Sequence, residues 1–221
     1  MVAIKISDDI RSVLGKVLTI GYVEAQVEVK DSNEKLWEEI STVCNRIAED
    51  NSLQDVLKIE NIAAARAAYK KLGKDPSRYR VSSESLARRV VKGKGLYKVN
   101  NIVDINNLIS IASFHPVCAY DMDKIDSEIY LNIGEEGDCY EGIGRGDINI
   151  SCLPVFQDSK GKFGSTTSDS VRAMVTKDTK NLIMAIVSFN GDRNLDKYIE
   201  YCKELLVKYA EGKNIHSGII S

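Results

Sequence analysis

Between Asn101 and Asp121 the apolar residues change period, so no single element can span the segment. Ile102, Ile105, Leu108, Ile109 and Ala112 recur at helical spacing and predict a helix over 101–113. Pro116 lacks an N–H and pushes its predecessor out of helical space, so it ends that region. VCAYDMD then leads into a strand. The chain before this segment reads mostly helical and the chain after it mostly as strands. That order predicts an α+β fold with any site where the halves meet.

Upstream, Val2–Ile6 alternates as a short strand. Val17–Val29 is rich in β-branched residues, which predicts a strand with Gly21 as a bulge. Asp31 and Ser32 are N-cap residues for a helix striped by Leu36, Trp37, Ile40, Val43, Cys44 and Ile47. A second helix over 59–72 stops at Gly73. Ser82 caps a third over 83–91, with Glu84 in its first turn. Downstream, Glu128–Ile133, Ile148–Val155 and Leu182–Phe189 read as strands, SKGKFG as a turn, and a last helix starts at Asn194. We expect one domain over 1–221: a helix-rich part to about 114, a strand-rich part over about 115–190, and a helix over about 194–210.

The charge balance excludes one class. The net charge is −2, so any nucleic-acid contact must come from a local basic patch. No apolar run reaches the roughly 18 residues that span a bilayer, and the first residues lack a secretion signal. Five scattered cysteines without C-x-x-C spacing, and two distant histidines, argue against zinc or a disulfide framework. The expectation is a cytoplasmic protein with no metal, no cofactor and no membrane partner.

Three features carry candidate chemistry. Arg88, Arg89, Lys92 and Lys94 belong to the densest positive run, flanked by Tyr79 and Tyr97, a mixture that suits phosphates and stacked bases. Asn106 and Asn107 sit in tandem inside a helix, where asparagine is a poor choice. Either one bonds neighbouring backbone while the other faces water, or both line a pocket. Asn107 shares a stripe with Val103, Ser110 and Phe114. The loop Gly164, Ser165, Thr166, Thr167, Ser168, Asp169 gathers hydroxyls and a carboxylate behind a glycine, as an anion or polar-ligand loop does. Cys118 reads as a small buried hydrophobe rather than a nucleophile. GIGRG at 142–146 reads as a hairpin turn.

Together, VNNIVDINNLISIASFHPVCAYDMDKI, RVSSESLARR and FGSTTSDS resemble the B3/B4 domain of the bacterial phenylalanyl-tRNA synthetase beta subunit, and most closely its free-standing forms. The resemblance runs from about Arg78 to Phe189. It implies a B3/B4-like fold in which helices pack on an antiparallel, sandwich-like sheet region. It also implies a protein that binds the aminoacylated 3′ end of tRNA and hydrolyses mischarged aminoacyl-tRNA in trans, without charging tRNA itself. The alternative is a non-catalytic amino-acid or tRNA-binding module with a degenerate editing site. The family's motif Asn falls at Asn107, its Thr at Asn106 and its His at Cys118, and its editing Glu falls within 164–169, where only Asp169 is acidic.

On that basis Asn106, Asn107, Thr167 and Asp169 are the candidate catalytic residues. Cys118, Tyr120, Gly164, Ser165, Thr166 and Ser168 are candidate substrate contacts, and Arg88, Arg89, Lys92 and Lys94 candidate RNA contacts. Strand alternation places Cys118 and Tyr120 on the site's side and Val117 and Ala119 on the other. Gly164 is expected to let backbone approach a ligand.

Overall fold

The computed structural model describes residues 2–221. The chain runs β1 (Ala3–Ile6), α1 (Asp8–Leu14), β2 (Thr19–Gln26), α2 (Glu34–Asp50), α3 (Glu60–Lys71), α4 (Ser82–Val91) and α5 (Asn101–Ser113). It continues with β3 (Val117–Asp121), β4 (Glu128–Ile133), β5 (Cys139–Gly142), β6 (Gly146–Asn149), β7 (Pro154–Asp158), β8 (Gly161–Ser165), β9 (Asn181–Ser188), α6 (Leu195–Ala210) and β10 (Lys213–Ile220).

One sheet has strand order β1-β4-β7-β8, with β1 parallel to β4; the other, β10-β2-β9-β3, is wholly antiparallel. Strands β5 and β6 form a separate hairpin. Alternation divides the core into two layers. Between the sheets lie Ile4, Ile20, Cys118, Tyr120, Leu131, Val155, Phe163, Ile183 and Ala185, closed by residues of α1 and α3. On the other face of the second sheet, Val23, Val117, Leu182, Met184 and Ile186 pack against α2, α5 and α6. This is an α+β fold with an antiparallel, sandwich-like sheet region and packed helices.

Several boundaries move for identifiable reasons. The strand expected over 17–29 begins at Thr19, because Gly15–Val17 form a turn of 3-10 helix. Gly21 carries no bulge, since β2 pairs with β9 without a break. It makes room for Ile199 of α6, whose Cδ1 lies 3.0 Å from where a Cβ would stand. Asn33, not Asp31 or Ser32, caps α2, accepting from the Leu36 N–H, while Ser32 Oγ donates to buried Asp104. Ser82 is already helical and its hydroxyl has no partner. The strand expected over 148–155 divides into β6 and β7, with Cys152 at φ +59° in the turn between them. SKGKFG is largely β8. Strand β10 and helix α1 had no clear sequence signal.

Helix α5 occupies the predicted range. Its cap, Asn100, accepts from the Val103 N–H at 2.9 Å. Buried Asn101 donates to the carbonyls of Glu28 and Tyr209 and accepts from the Lys30 N–H, which ties the start of α5 to the ends of β2 and α6. The helix is thereby pinned against the same sheet face that β3 presents.

Candidate functional site

A cavity of about 300 Å³ opens between α5, β3 and the loop after β8. Val103, Asn106 and Asn107 line it at i, i+3, i+4 from α5. Val117 and Ala119 line it from β3, and Ser165, Thr167 and Asp169 from the loop. Ile143, Met174 and Val175 add to a wall that is largely aliphatic. Both tandem asparagines therefore face the cavity, and Asn106 Oδ1 is a buried acceptor with no partner among the described residues. An unsatisfied buried acceptor costs roughly 1–3 kcal/mol, and a donor on a ligand would remove that cost.

The side of β3 that lines the cavity is the reverse of the expectation. Helix α5 packs on the Val117/Ala119 face, so a cavity beside α5 must use that face. Cys118 and Tyr120 point instead into the layer between the sheets, each 1 % exposed. Neither can touch a ligand in the cavity. Gly164 is also reassigned: a Cβ there would stand 2.0 Å from the Tyr120 hydroxyl oxygen, so the glycine admits a tyrosine rather than a ligand. Thr166 is fully buried beneath the site, and Ser168 faces the neighbouring groove.

These buried residues hold the loop in shape. The Tyr120 hydroxyl donates to Asp169 Oδ1 at 2.8 Å, and the Ser165 N–H donates to the same oxygen at 3.2 Å. Ser165 Oγ accepts from the N–H groups of Thr167 and Ser168 and donates to the Ser168 carbonyl. The Tyr69 hydroxyl, from α3, bonds Thr166 Oγ1 at 2.6 Å and Thr167 Oγ1 at 2.9 Å. The Ser82 N–H donates to the Thr166 carbonyl, joining the loop to the start of α4. Burial raises the Asp169 carboxyl to about 7, against the opposing effect of the Tyr120 and Ser165 hydrogen bonds. Burial also pushes Cys118 and Tyr120 well up, so both stay protonated around Asp169. Such a thiol is a poor nucleophile.

Beside the cavity runs a groove of about 660 Å³. Arg88, Arg89, Lys92 and Lys94 line it, joined by Arg78, Arg80 and Arg145, and among the described residues no acidic side chain does. Cavity and groove share Ser82, Asn107 and Thr167, so the two are continuous at those residues. Two of the four expected RNA contacts are partly committed. Arg88 reaches the Leu53 carbonyl at 3.5 Å, and the Arg89 guanidinium lies 3.7 Å from the Tyr97 ring centre. Lys92 and Lys94 are exposed, with no acidic partner among the described residues. Glu84, 1 % exposed in the first turn of α4, is paired with Arg66 at 2.8 Å and Arg80 at 3.7 Å.

GIGRG is the turn of the β5–β6 hairpin, as the sequence suggested, but sequence reasoning did not place that hairpin at the site. Its GIGRG tip supplies Ile143 to the cavity and Arg145 to the groove. The Ile143 N–H donates to the Asp169 carbonyl, and the Tyr140 hydroxyl donates to the Ser168 carbonyl at 2.5 Å, so the hairpin is tied to the site loop. The available signal was a bulky apolar and a basic residue alternating with glycines. A larger hollow of about 750 Å³, between α2, α5 and α6, contains none of the predicted site residues.

Residues 64–204, well over half the chain, match the model of the B3/4 domain family. The chain belongs to the B3/4 domain family. A curated relative, the phenylalanine–tRNA ligase beta subunit of Bifidobacterium longum, is 23 % identical over 149 residues. That match covers 64 % of this chain and 17 % of the relative, so the chain spans about a sixth of that protein's length. Among solved structures, an N-terminal fragment of the phenylalanyl-tRNA synthetase beta subunit from Pyrococcus horikoshii matches with a TM-score of 0.50. It is 11 % identical and covers 100 % of this chain and 54 % of the other, a likeness of fold. Cys118, which the resemblance aligned with the family's His, has its side chain facing away from the cavity.

Proposed function

We propose that this B3/4 domain binds the aminoacylated 3′ end of tRNA and hydrolyses the ester of mischarged aminoacyl-tRNA in trans. The observation that carries the reading is the continuity of an acid-free basic groove with a largely aliphatic cavity at Ser82, Asn107 and Thr167. A phosphate backbone in the groove brings its terminal ester to that junction, and the amino-acid side chain enters the cavity. The family, and the synthetase beta subunits it resembles, support the choice of tRNA over other polyanions.

An aminoacyl ester is already activated, so hydrolysis needs an oriented water and donors for the developing oxyanion more than a protein nucleophile. Asn107 and Thr167 stand at the junction with amide and hydroxyl donors. Asp169 lines the cavity and changes charge near neutrality, as an acid–base group working there must. Asn106 Oδ1 accepts the substrate ammonium. The partners on this reading are aminoacyl-tRNA and its amino-acid moiety.

One observation favours a binding module without catalysis. Asp169 is the only carboxylate lining the cavity among the described residues, and its Oδ1 already accepts two internal hydrogen bonds. The deciding experiment incubates the protein with a panel of mischarged tRNAs and follows ester loss. The catalytic reading expects turnover of at least one, reduced about 10²- to 10³-fold by Asn107→Ala or Thr167→Val. Tight binding with no ester loss on any tRNA selects the binding module, and no binding to any tRNA rejects both.

A further inference from the structure

The groove holds more than cations. Two tyrosines line it, and each has a positive charge fixed against its ring. Tyr97 is 57 % exposed, with the Arg89 guanidinium 3.7 Å from its centre. With one face covered, that exposure belongs to the opposite face and the edge. Tyr79 has Lys74 Nζ 3.8 Å from its centre. Lys74 is 8 % exposed and is held from behind by Asn149 Oδ1 and the Ser151 carbonyl, both neutral. Neither of these cations has a carboxylate partner among the described residues, so each is left to its ring and to neutral groups.

A cation against one face of a ring is attractive in itself and fixes the ring's orientation. At exposed Tyr97 the other face is then a platform for a flat partner, while half-buried Tyr79, packed against the core, offers only the part of its ring that lines the groove. Leu86 and Ile148 supply apolar floor in the same groove. Bases inside a duplex cannot offer their faces to a protein surface, whereas unpaired bases can. Arg78, Lys92, Lys94 and Arg145 surround the rings as phosphate contacts.

Resting on the tRNA reading above, we propose that the groove receives an unpaired strand, with Tyr97 and Tyr79 each stacking one of its bases. The partner is therefore the single-stranded tail of an acceptor stem and not its duplex. Stacking and phosphate contact are separable, because the first is insensitive to salt and the second is not.

The test uses an acceptor-stem RNA hairpin with and without its unpaired 3′ tail, titrated against the full chain at several salt concentrations. Tyr97→Leu should weaken binding of the tailed RNA about 5- to 150-fold, with the salt slope unchanged. Tyr79→Leu should act in the same direction. Neither change should alter binding of the tailless RNA. Tyr97→Phe keeps the ring and its cation, and should retain wild-type affinity; that result separates lost stacking from a disturbed fold. Wild-type affinity of both leucine variants for the tailed RNA, or equal losses on both RNAs, overturns the stacking proposal and leaves the tRNA reading standing. Failure of the wild-type protein to bind either RNA overturns both.

Discussion

Replacing Asp169 by asparagine should change the pH dependence of stability more than any other single substitution at the site. The carboxyl is raised from 3.8 to about 7, so the folded state holds its proton where the unfolded chain has lost it. The stability this contributes is fully present below pH 3.8 and is lost as pH rises through about 7. At about 1.36 kcal/mol per pH unit, the loss approaches roughly 4 kcal/mol between pH 4 and pH 8. Asp169 keeps an edge toward the cavity, and water there reduces the figure, to about half on our expectation. Its neighbours Tyr120, Cys118 and Tyr140 are all pushed upward and stay neutral, so they do not blur the window. Asparagine retains an oxygen to accept from the Tyr120 hydroxyl and the Ser165 N–H. Urea unfolding of both proteins at pH 4.5 and pH 8 measures the difference. The variant should gain about 2–3 kcal/mol on wild type between the two pH values. Parallel pH profiles would refute a protonated Asp169, and with it the acid–base role.

Gly164→Ala should destabilise the fold by about 1–3 kcal/mol in thermal or urea unfolding, because its Cβ meets the Tyr120 hydroxyl at 2.0 Å; an unchanged midpoint would contradict the packing described here. Lys92→Ala with Lys94→Ala should lower the salt slope of tRNA binding by about 2, one per phosphate contact, and an unaltered slope would remove both from the interface. Alkylation followed by mass spectrometry should label exposed Cys139 within minutes, while buried Cys118 and Cys202, both with raised thiols, react only on unfolding. Cys118→Ser should leave any deacylase activity largely intact, since its side chain faces the layer between the sheets; complete loss in a folded variant would show otherwise.

Much of the fold is local information. The 3.6-residue stripe and its Asn100 cap define α5, and Pro116 ends the region. Glu128–Ile133 alternates and is β4 at those limits. These features were legible because backbone geometry sets the period, and period is visible in one dimension. Strand β10 was not, because a half-exposed edge strand owes its existence to β2 beside it. The candidate site divides in the same way. Asn106, Asn107 and the 164–169 loop stood out as candidates because their residue types are poor choices for a helix or dense for a turn. Which face of β3 meets them did not follow. Alternation separates Cys118 and Tyr120 from Val117 and Ala119 but cannot say which pair looks at α5. That was decided by α5 packing on the Val117 face, and by Gly164 giving Tyr120 its place between the sheets. Arg145 and Ile143 reached the site only because the hairpin is bonded to the Asp169 loop, a contact between segments more than twenty residues apart that leaves no mark on the sequence of either.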